Sequence, residues 1–342
     1  MTTLCLTAIL GMGQEASPPL LFGIGVHIEP FGAQVSQIAQ AAGASPRAID
    51  PRQMNYANRR DFERHVDDLL RLASVVEAYG GRLTIQAQTP FTLSAVRFES
   101  AVLRDLSRRG HEIGLHFHED AHLGNGSEAL PPTIWSDVMR EELEWIRRAG
   151  VDTPVQFWSG GNLYPQLYPA ASAAGLSVNG DWKNPHTQSV PVELLGVHPW
   201  RPAGGTDGSD MEAFVRHDPY GDILFLPGGW IDPVAFSNKR EITAQGGLAA
   251  WLDVLEQALQ GSIERAEADR VNAFHFTVHP GEFVGDPTEP YGLLEAFLRD
   301  VVSPWVAAGR VQWATFGEIA AVTQAWERDH PGEDPRGGAA TE

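Results

Sequence analysis

The sequence has one cysteine and very little lysine. Cys5 is the single cysteine among 342 residues, so an internal disulfide and a metal cluster held by thiolates are both excluded. Lysine occurs only as Lys183 and Lys239, and arginine carries the remaining positive charge. A metal bound by this chain therefore has to use histidine and carboxylate ligands.

Positive charge is scarce relative to negative charge. Lys and Arg together number 25 against 44 Asp and Glu, which gives a formal net charge of −19 at pH 7. Nucleic acids and anionic membrane surfaces carry charge of the same sign, so both are unfavourable partners. Neutral or cationic substrates remain open.

Long apolar runs are absent as well. No stretch approaches the roughly 20 apolar residues that span a bilayer. The short apolar stretch within residues 1–19 has no Lys or Arg before it, whereas a secretory signal begins with basic residues. We therefore expect residues 1–19 to be an N-terminal segment and the protein to be cytoplasmic rather than secreted.

Strand-like and helix-like patterns alternate over residues 20–326. Alternating or buried apolar runs predict strands at residues 21–29, 82–88, 111–118, 153–158, 222–228, 271–279 and 310–316. Apolar residues at helical spacing predict helices at residues 59–81, 94–110, 134–149, 166–175, 246–267 and 291–308. Strands that alternate with helices form a parallel sheet covered by helices, and about seven such units predict a closed or nearly closed α/β barrel in a single domain.

Two segments depart from this alternation. Residues 180–221 are rich in Pro, Gly, Trp and His with little periodicity, which is typical of a functional loop or lid. Residues 327–342 are polar and charged, and we expect them to form a disordered tail.

The stretch GHEIGLHFHEDAHL, residues 110–123, places four histidines and three carboxylates in fourteen positions. His116 and His118 share one face of an extended strand. His116 with Asp120, and His118 with His122, are pairs four residues apart that could close on a metal where the strand becomes a loop. A solvated polar loop is the alternative, but this density of histidine and acid favours a metal site.

Two other strand ends carry histidine. In VHIEP, residues 26–30, His27 and Glu29 point to the same side, so one can bind a metal while the other acts as a base. In FTVHPGEF, residues 276–283, His279 at the strand end is a candidate for acid catalysis.

A substrate wall is predicted near FWSGGNLYP, residues 157–165. Gly160 and Gly161 allow the backbone to approach a ligand closely, and aromatic residues on either side offer stacking surfaces. A plain tight turn is the competing interpretation. The candidate substrate-binding residues are Trp158, Gly160, Gly161, Asn162 and, from the irregular segment, Lys183.

Taken in order, these pieces resemble the motifs of the polysaccharide deacetylase superfamily, also described as NodB-homology or carbohydrate esterase family 4 proteins. GHEIGLH is the most specific element and resembles the second motif. VHIEP resembles the first motif, FWSGGNLYP with AASAAGL (170–176) the third, and FTVHPGEF the late strand with the catalytic acid. The resemblance covers roughly residues 20–325.

This resemblance implies a distorted (β/α)7-type barrel and a bound divalent metal, usually Zn²⁺. The family removes an acetyl group from an N-acetyl sugar or acts on related amides and esters. The metal activates water, an acidic residue takes its proton, and a histidine protonates the leaving amine. Residue by residue, Glu29 and His116 match metal ligands and His279 matches the general acid.

Three departures from the family pattern set this chain apart. The base aspartate is replaced by His27, which could act as a neutral base or as a further ligand. The second metal histidine is replaced by Asp120, although His118 and His122 stand nearby. The third-motif arginine that holds the base aspartate is missing, with Trp158 near its place, which agrees with the loss of the aspartate.

The sequence thus favours a metal-dependent hydrolase of C–N bonds, with an N-acetylated carbohydrate as the leading substrate. A small-molecule amidohydrolase on the same barrel and a catalytically silent glycan-binding protein are the alternatives. A glycosidase would need two suitably spaced carboxylates, and no convincing pair stands out.

Overall fold

A computed structural model describes residues 19–29, 35–45, 55–160, 164–180, 195–203, 211–232, 239–284 and 291–337. The strands in these ranges are β1 (Leu20–His27), β2 (Leu83–Ala87), β3 (Glu112–His116), β4 (Phe157–Ser159), β5 (Val178–Asn179), β6 (Leu224–Phe225), β7 (Ala273–Val278) and β8 (Val311–Trp313). The helices are α1 (Gln37–Ala41), α2 (Arg59–Ala78), α3 (Phe91–Arg97), α4 (Val102–Arg108), α5 (Glu119–His122), α6 (Pro132–Arg148), α7 (Leu167–Ala174), α8 (Met211–Val215), α9 (Lys239–Glu264, interrupted at Gly247), α10 (Gly292–Phe297), α11 (Ser303–Ala307) and α12 (Phe316–Asp329).

The described strands form one parallel, curled sheet in the order β6-β5-β4-β3-β2-β1-β7. β8 pairs with the first half of β1, where Leu20 aligns with Val311, and β2 pairs with its second half, where Ile24 aligns with Leu83. Helices follow most of the strands, as the sequence pattern predicts. The prediction of a distorted (β/α)7-type barrel is confirmed.

Alternation along each strand separates two layers of core. On β1, Phe22, Ile24 and Val26 pack beneath the helices. The opposite face turns into the barrel, where Gly23 and Gly25 leave room for the Phe316 ring. A Cβ atom added at Gly23 would lie 2.8 Å from Phe316 Cε1. The first strand is therefore packed against the first residue of α12.

Part of the predicted irregular segment closes the gap between the outermost strands. The Ala273 N–H on β7 donates to the Val197 carbonyl (2.7 Å), and the Phe225 N–H on β6 donates to the Trp200 carbonyl (2.8 Å). Residues 195–200 thus contribute backbone hydrogen bonds to both edges, instead of forming only a surface loop.

Two predicted boundaries are wrong. The helix predicted at residues 94–110 is two helices, α3 and α4, with Glu99 in the left-handed region (φ 56°) between them. The disorder predicted from residue 327 does not extend over residues 327–337. α12 continues to Asp329, and Arg336 is paired with Asp334 (2.9 Å) and lies over the Trp200 ring (4.7 Å).

None of the described helices combines the length and the apolar character needed to cross a bilayer. The limits of the predicted single domain, residues 20–326, stay a prediction.

Candidate functional site

The candidate site lies where three strands of the sheet end. β1 ends at His27 and leads to Glu29, β3 ends at His116 and leads to His118, and β7 leads to His279. Because all the strands run parallel, their carboxyl ends meet on one face of the barrel, where chemistry in such folds is concentrated. Residues from three separate motifs are thereby brought into contact.

Glu29 is the centre of this cluster. Its Oε2 atom lies 3.1 Å from His116 Nε2 and 3.3 Å from His118 Nε2, and its Oε1 atom lies 2.9 Å from His279 Nε2. The Glu29 side chain is only 15% exposed, whereas the rings of His118 and His279 are 35% and 44% exposed. The carboxylate is therefore held inside, and two of its three imidazole partners face the opening.

A hydroxyl group supports the cluster from within the barrel. Ser159, buried on β4, donates its proton to Gln86 Oε1. Its oxygen lies 2.9 Å from His27 Nε2 and 3.3 Å from His116 Nδ1. Because the single proton of the hydroxyl is donated to Gln86, its oxygen is available as an acceptor for the N–H groups of both imidazoles. The His27 and His116 rings lie together, with centroids 4.0 Å apart.

The protonation states follow from these contacts. Burial alone would raise the pKa of Glu29, but hydrogen bonds from His116, His118 and His279 hold it well below its ordinary value. Burial lowers the pKa of His116 well below the usual value, so its ring is neutral. Desolvation also disfavours the charged form of His118, yet the Glu29 carboxylate leaves its pKa raised. Glu29 is thus an anion facing one neutral imidazole and two that hold protons readily.

His279 has a second carboxylate behind it. The His279 backbone N–H donates to Glu282 Oε2 (3.0 Å), and Nδ1 of the ring lies 3.6 Å from the same oxygen. Lys239 Nζ holds the other oxygen of Glu282 at 2.8 Å. Desolvation lowers the pKa of His279, but Glu282 and Glu29 together raise it to about 9. His279 is therefore a protonated imidazole at the mouth of the site.

Several predicted site residues lie away from the cluster. Asp120 Oδ1 is 3.7 Å from His118 Nδ1. Asp120 is not one of the described residues His27, Glu29 and His116, whose ligand atoms lie within 4.8 Å of one another. His122 is fully buried and is stacked on Phe117 with ring centroids 4.9 Å apart. The structure therefore places neither Asp120 nor His122 in this group, and their use as metal ligands stays a prediction.

The substrate wall also needs correction. Trp158 lies on the outer face of β4, fully buried in the core beneath the helices, where it packs edge-on against Tyr168. It cannot stack on a ligand. Gly160 does adjoin the site, but the group that approaches its backbone is His116: an added Cβ atom would lie 2.6 Å from His116 Cε1. Gly161, Asn162 and Lys183 lie outside the described residues.

Sequence reasoning missed Ser159, Gln86 and Glu282. Ser159 was visible in the third motif, where it alternates with Trp158 and therefore faces inward. Gln86 aligns with His27 across the β1–β2 pair, but nothing in the sequence reveals that alignment. Glu282 stands three residues after His279, a spacing that would have suggested a pair.

The arrangement fits a divalent metal ion. One ligand atom from each of His27, Glu29 and His116 lies within 4.8 Å of the others. A neutral His116 ring has one proton, which it can donate from Nε2 to the Glu29 carboxylate across 3.1 Å or from Nδ1 to the Ser159 oxygen at 3.3 Å. A cation beside Glu29 would select the second tautomer, with Nε2 as the ligand atom, and a histidine held through its other nitrogen is typical of metal sites. Two imidazoles and a carboxylate are ligands that Zn²⁺ accepts.

Structural comparison finds the same fold elsewhere, although no protein-family profile and no curated protein matches the sequence. A structure assigned as a polysaccharide deacetylase from Pseudomonas aeruginosa PAO1 aligns over 96% of this chain and 99% of its own, with TM-score 0.52 and 17% identity. One with the same assignment from Mycobacterium smegmatis aligns over 92% and 93%, with TM-score 0.51 and 16% identity. Puue allantoinase aligns over 96% and 99%, with TM-score 0.52 and 16% identity. The chain therefore has the fold of these polysaccharide deacetylase structures, the group that its sequence motifs resemble.

Proposed function

We propose that the protein is a metal-dependent hydrolase of C–N bonds that removes the acetyl group from an N-acetylated carbohydrate. The observation that carries this proposal is the position of the Glu29 carboxylate. It lies beside His27 and the neutral ring of His116 on the inner side and beside two exposed imidazoles on the outer side. Hydrolysis of an amide requires residues that bind a cation and residues that transfer protons. Here the inner residues suit the first role and the outer residues suit the second.

The inner residues would hold the metal, and we expect Zn²⁺. His27, Glu29 and His116 supply its ligands, which exchanges two roles that the sequence suggests: His27 becomes a ligand, and His118 takes the base role. When bound, the metal lowers the pKa of a water molecule and polarises the substrate carbonyl. Ser159 fixes the orientation of both inner imidazoles through its oxygen.

The outer residues would move the protons. His118 has its Nε2 near Glu29 and a ring open to the site. The Glu29 charge raises the pKa of His118, so a metal ion bound to that carboxylate would remove this effect and leave the ring free to accept the proton of the attacking water. His279 donates a proton to the leaving nitrogen, and Glu282 keeps that imidazole charged and oriented. With this proton, the nitrogen leaves as a neutral amine. Without it, the nitrogen would have to leave as an anion, which is the difficult step in amide hydrolysis.

Carbohydrate is the leading substrate class because two proteins of the same fold are assigned as polysaccharide deacetylases. One observation favours a small amide as the second candidate. Trp158, the residue best placed in the sequence to stack on a sugar ring, is fully buried in the core. An allantoinase also has this fold, so a small non-carbohydrate amide is the alternative substrate.

The test is metal loading followed by paired substrate assays. Purified protein is freed of metal with a chelator, reloaded with Zn²⁺, Mn²⁺, Co²⁺ or Fe²⁺, and assayed for acetate release from N-acetylglucosamine oligomers and for hydrolysis of a panel of small amides. We expect about one Zn²⁺ per chain and turnover only in the loaded protein, abolished in His279→Gln. Turnover of small amides alone would select the second candidate. Full activity after complete metal removal would overturn the proposal.

A further inference from the structure

The loop after β3 contains a histidine that has no place in the proposed catalytic cluster. His122 ends helix α5, is fully buried, and lies parallel to the Phe117 ring with an interplanar angle of 7°. Its ring is directed at two groups: the backbone of His118 and the carboxylate of Glu142 on α6.

The contact with His118 involves a single nitrogen of the ring. His122 Nδ1 lies 3.1 Å from the His118 backbone nitrogen and 2.8 Å from the His118 carbonyl oxygen. An amide nitrogen can only donate and a carbonyl oxygen can only accept. A neutral His122 ring therefore makes one of these hydrogen bonds and excludes the other, according to which nitrogen holds the proton.

Glu142 resolves this choice. Its carboxylate is 2% exposed and accepts hydrogen bonds from the Thr89 backbone N–H (2.7 Å) and hydroxyl (2.6 Å). Its Oε2 atom lies 3.7 Å from His122 Nε2, a buried atom without a hydrogen-bond partner in the described part of the chain. At this distance in a buried setting, a carboxylate attracts an N–H and repels a lone pair. The proton therefore belongs on Nε2.

We propose that His122 is a positioning residue: Glu142 holds it as the Nε2–H tautomer, so that Nδ1 accepts the His118 backbone N–H and fixes the loop that presents the His118 ring. The catalytic part of this inference rests on the proposed function, in which His118 acts as the base. The tautomer itself does not, because it depends only on buried groups outside the cluster.

This arrangement explains how a short loop can hold an exposed ring in place. The His118 side chain is 35% exposed, and His118 is the N-cap residue of the single-turn helix α5, where its side chain makes no capping bond. The His118 backbone N–H instead donates to His122 Nδ1, and the stack on Phe117 fixes the angle of that acceptor. The backbone of His118 is thereby linked through His122 to Glu142 on α6, and through Glu142 to Thr89 in the segment after β2.

The tautomer can be measured directly in the metal-free protein by ¹⁵N NMR of the histidine rings. We expect the Nε2–H pattern for His122 in the wild type and a shift toward the Nδ1–H form in Glu142→Gln. Glu141→Gln is the matched control on the same helix, because the Glu141 carboxylate accepts from the Ser36 hydroxyl, whereas Glu142 lies 3.7 Å from His122 Nε2. An Nδ1–H ring in the wild type, or an unchanged ring in Glu142→Gln, would overturn the proposal.

Two substitutions of His122 test the consequence for catalysis. His122→Phe keeps the stacked ring and loses both nitrogens, whereas His122→Asn keeps an acceptor near the position of Nδ1. We expect kcat to fall about 100-fold in His122→Phe, to be largely restored in His122→Asn, and Zn²⁺ affinity to remain unchanged in both.

Wild-type kcat in His122→Phe would contradict the positioning role. Equal losses in both variants that follow their folded fractions would contradict it too, because a purely structural role predicts that result. If no substrate is turned over by the wild type, the proposed function fails, and the NMR measurement still decides the tautomer.

Discussion

Two glutamates face the interior of this barrel, one at each end, and their surroundings give them opposite chemistry. Glu29 at the carboxyl end is contacted by three imidazoles, which hold its pKa well below the ordinary value. Glu112 near the amino end accepts hydrogen bonds from the Thr84 hydroxyl and the Gly317 N–H, both at 2.8 Å, and burial raises its pKa.

The difference lies in the partners and not in the burial. Neutral donors satisfy the oxygens of Glu112 but offset only part of the desolvation of a charge. Imidazoles can become cations, and the raised pKa values of His118 and His279 favour the cationic form beside Glu29. An imidazole nitrogen can also lose its proton to solvent and bind a metal ion, whereas the hydroxyl and amide around Glu112 cannot. The carboxyl end of the barrel is therefore suited to binding an ion, whereas the contacts of Glu112 near the amino end are suited to stabilising the fold.

The largest expected effect is on metal binding. Glu29→Gln should weaken Zn²⁺ binding more than about 100-fold, because losing a ligand exceeds the roughly 10–100-fold cost of losing a ligand's outer hydrogen-bond partner. Glu112→Gln should leave the affinity unchanged. Competition with a chromogenic chelator measures both. Equal losses would mean that Glu29 is not a ligand.

The second prediction compares the stability cost of substituting two glycines, one beside the His116 ring that contacts Glu29 and one beside Glu112 itself. Gly160 has φ 92°, and a Cβ atom there would meet the buried His116 ring at 2.6 Å; at Gly317 the same atom would meet only the end of Glu112, also at 2.6 Å. Gly160→Ala should lower the free energy of unfolding by about 1–3 kcal/mol, the range for a strained backbone. Gly317→Ala should lower the free energy of unfolding by a smaller amount. Urea denaturation measures both, and a larger loss at Gly317 would contradict the comparison.

The third prediction concerns the sign of a pH dependence in the metal-free protein. Glu29 has a lowered pKa, so its stabilisation is present above its unfolded value, 4.5, and is lost as the pH falls. Glu112 has a raised pKa, so its contribution is present below 4.5 and is lost as the pH rises through the raised value. Relative to the wild type between pH 4 and 7, Glu29→Gln should therefore become less stable with rising pH and Glu112→Gln more stable. Differences of the same sign would refute the contrast.

The smallest effect belongs to His279 in the metal-free protein. Its pKa is raised from 6.5 to about 9, so its contribution to stability is complete below pH 6.5 and is lost as the pH rises through 9. Because the ring is 44% exposed, solvent screening limits this contribution to less than about 1 kcal/mol. Thermal melts of the wild type and His279→Gln between pH 6 and 10 should converge at the alkaline end. A constant difference over that range would contradict the prediction.

The sequence predicts the barrel well, because alternating strands and amphipathic helices are local patterns. It also places Glu29, His116 and His279 near one another, since parallel strands end at the same face. The conformation of the loop after β3 could not be predicted from the spacing of its histidines. His118 and His122 are four residues apart, but α5 turns one ring toward Glu29 and the other toward Glu142, a residue of a distant helix.

Trp158 shows a second limit. A tryptophan beside two glycines at a strand end suggests a stacking surface, but strand alternation puts Ser159 inside and Trp158 outside. The register that decides this is set by the pairing of β4 with β3, where His116 aligns with Ser159. Long-range pairing is the information that a single sequence does not express.

The packing of Phe316 against Gly23 has a consequence for synthesis on the ribosome. The interior side of the first strand is covered by Phe316, and two of the neighbours of β1, the strands β7 and β8, also come much later in the sequence. A nascent chain therefore carries β1 without these partners until residues 273–316 have been synthesised. Truncation before residue 316 should leave this strand available to aggregate or to engage chaperones, even though every residue of the proposed catalytic cluster has already been made.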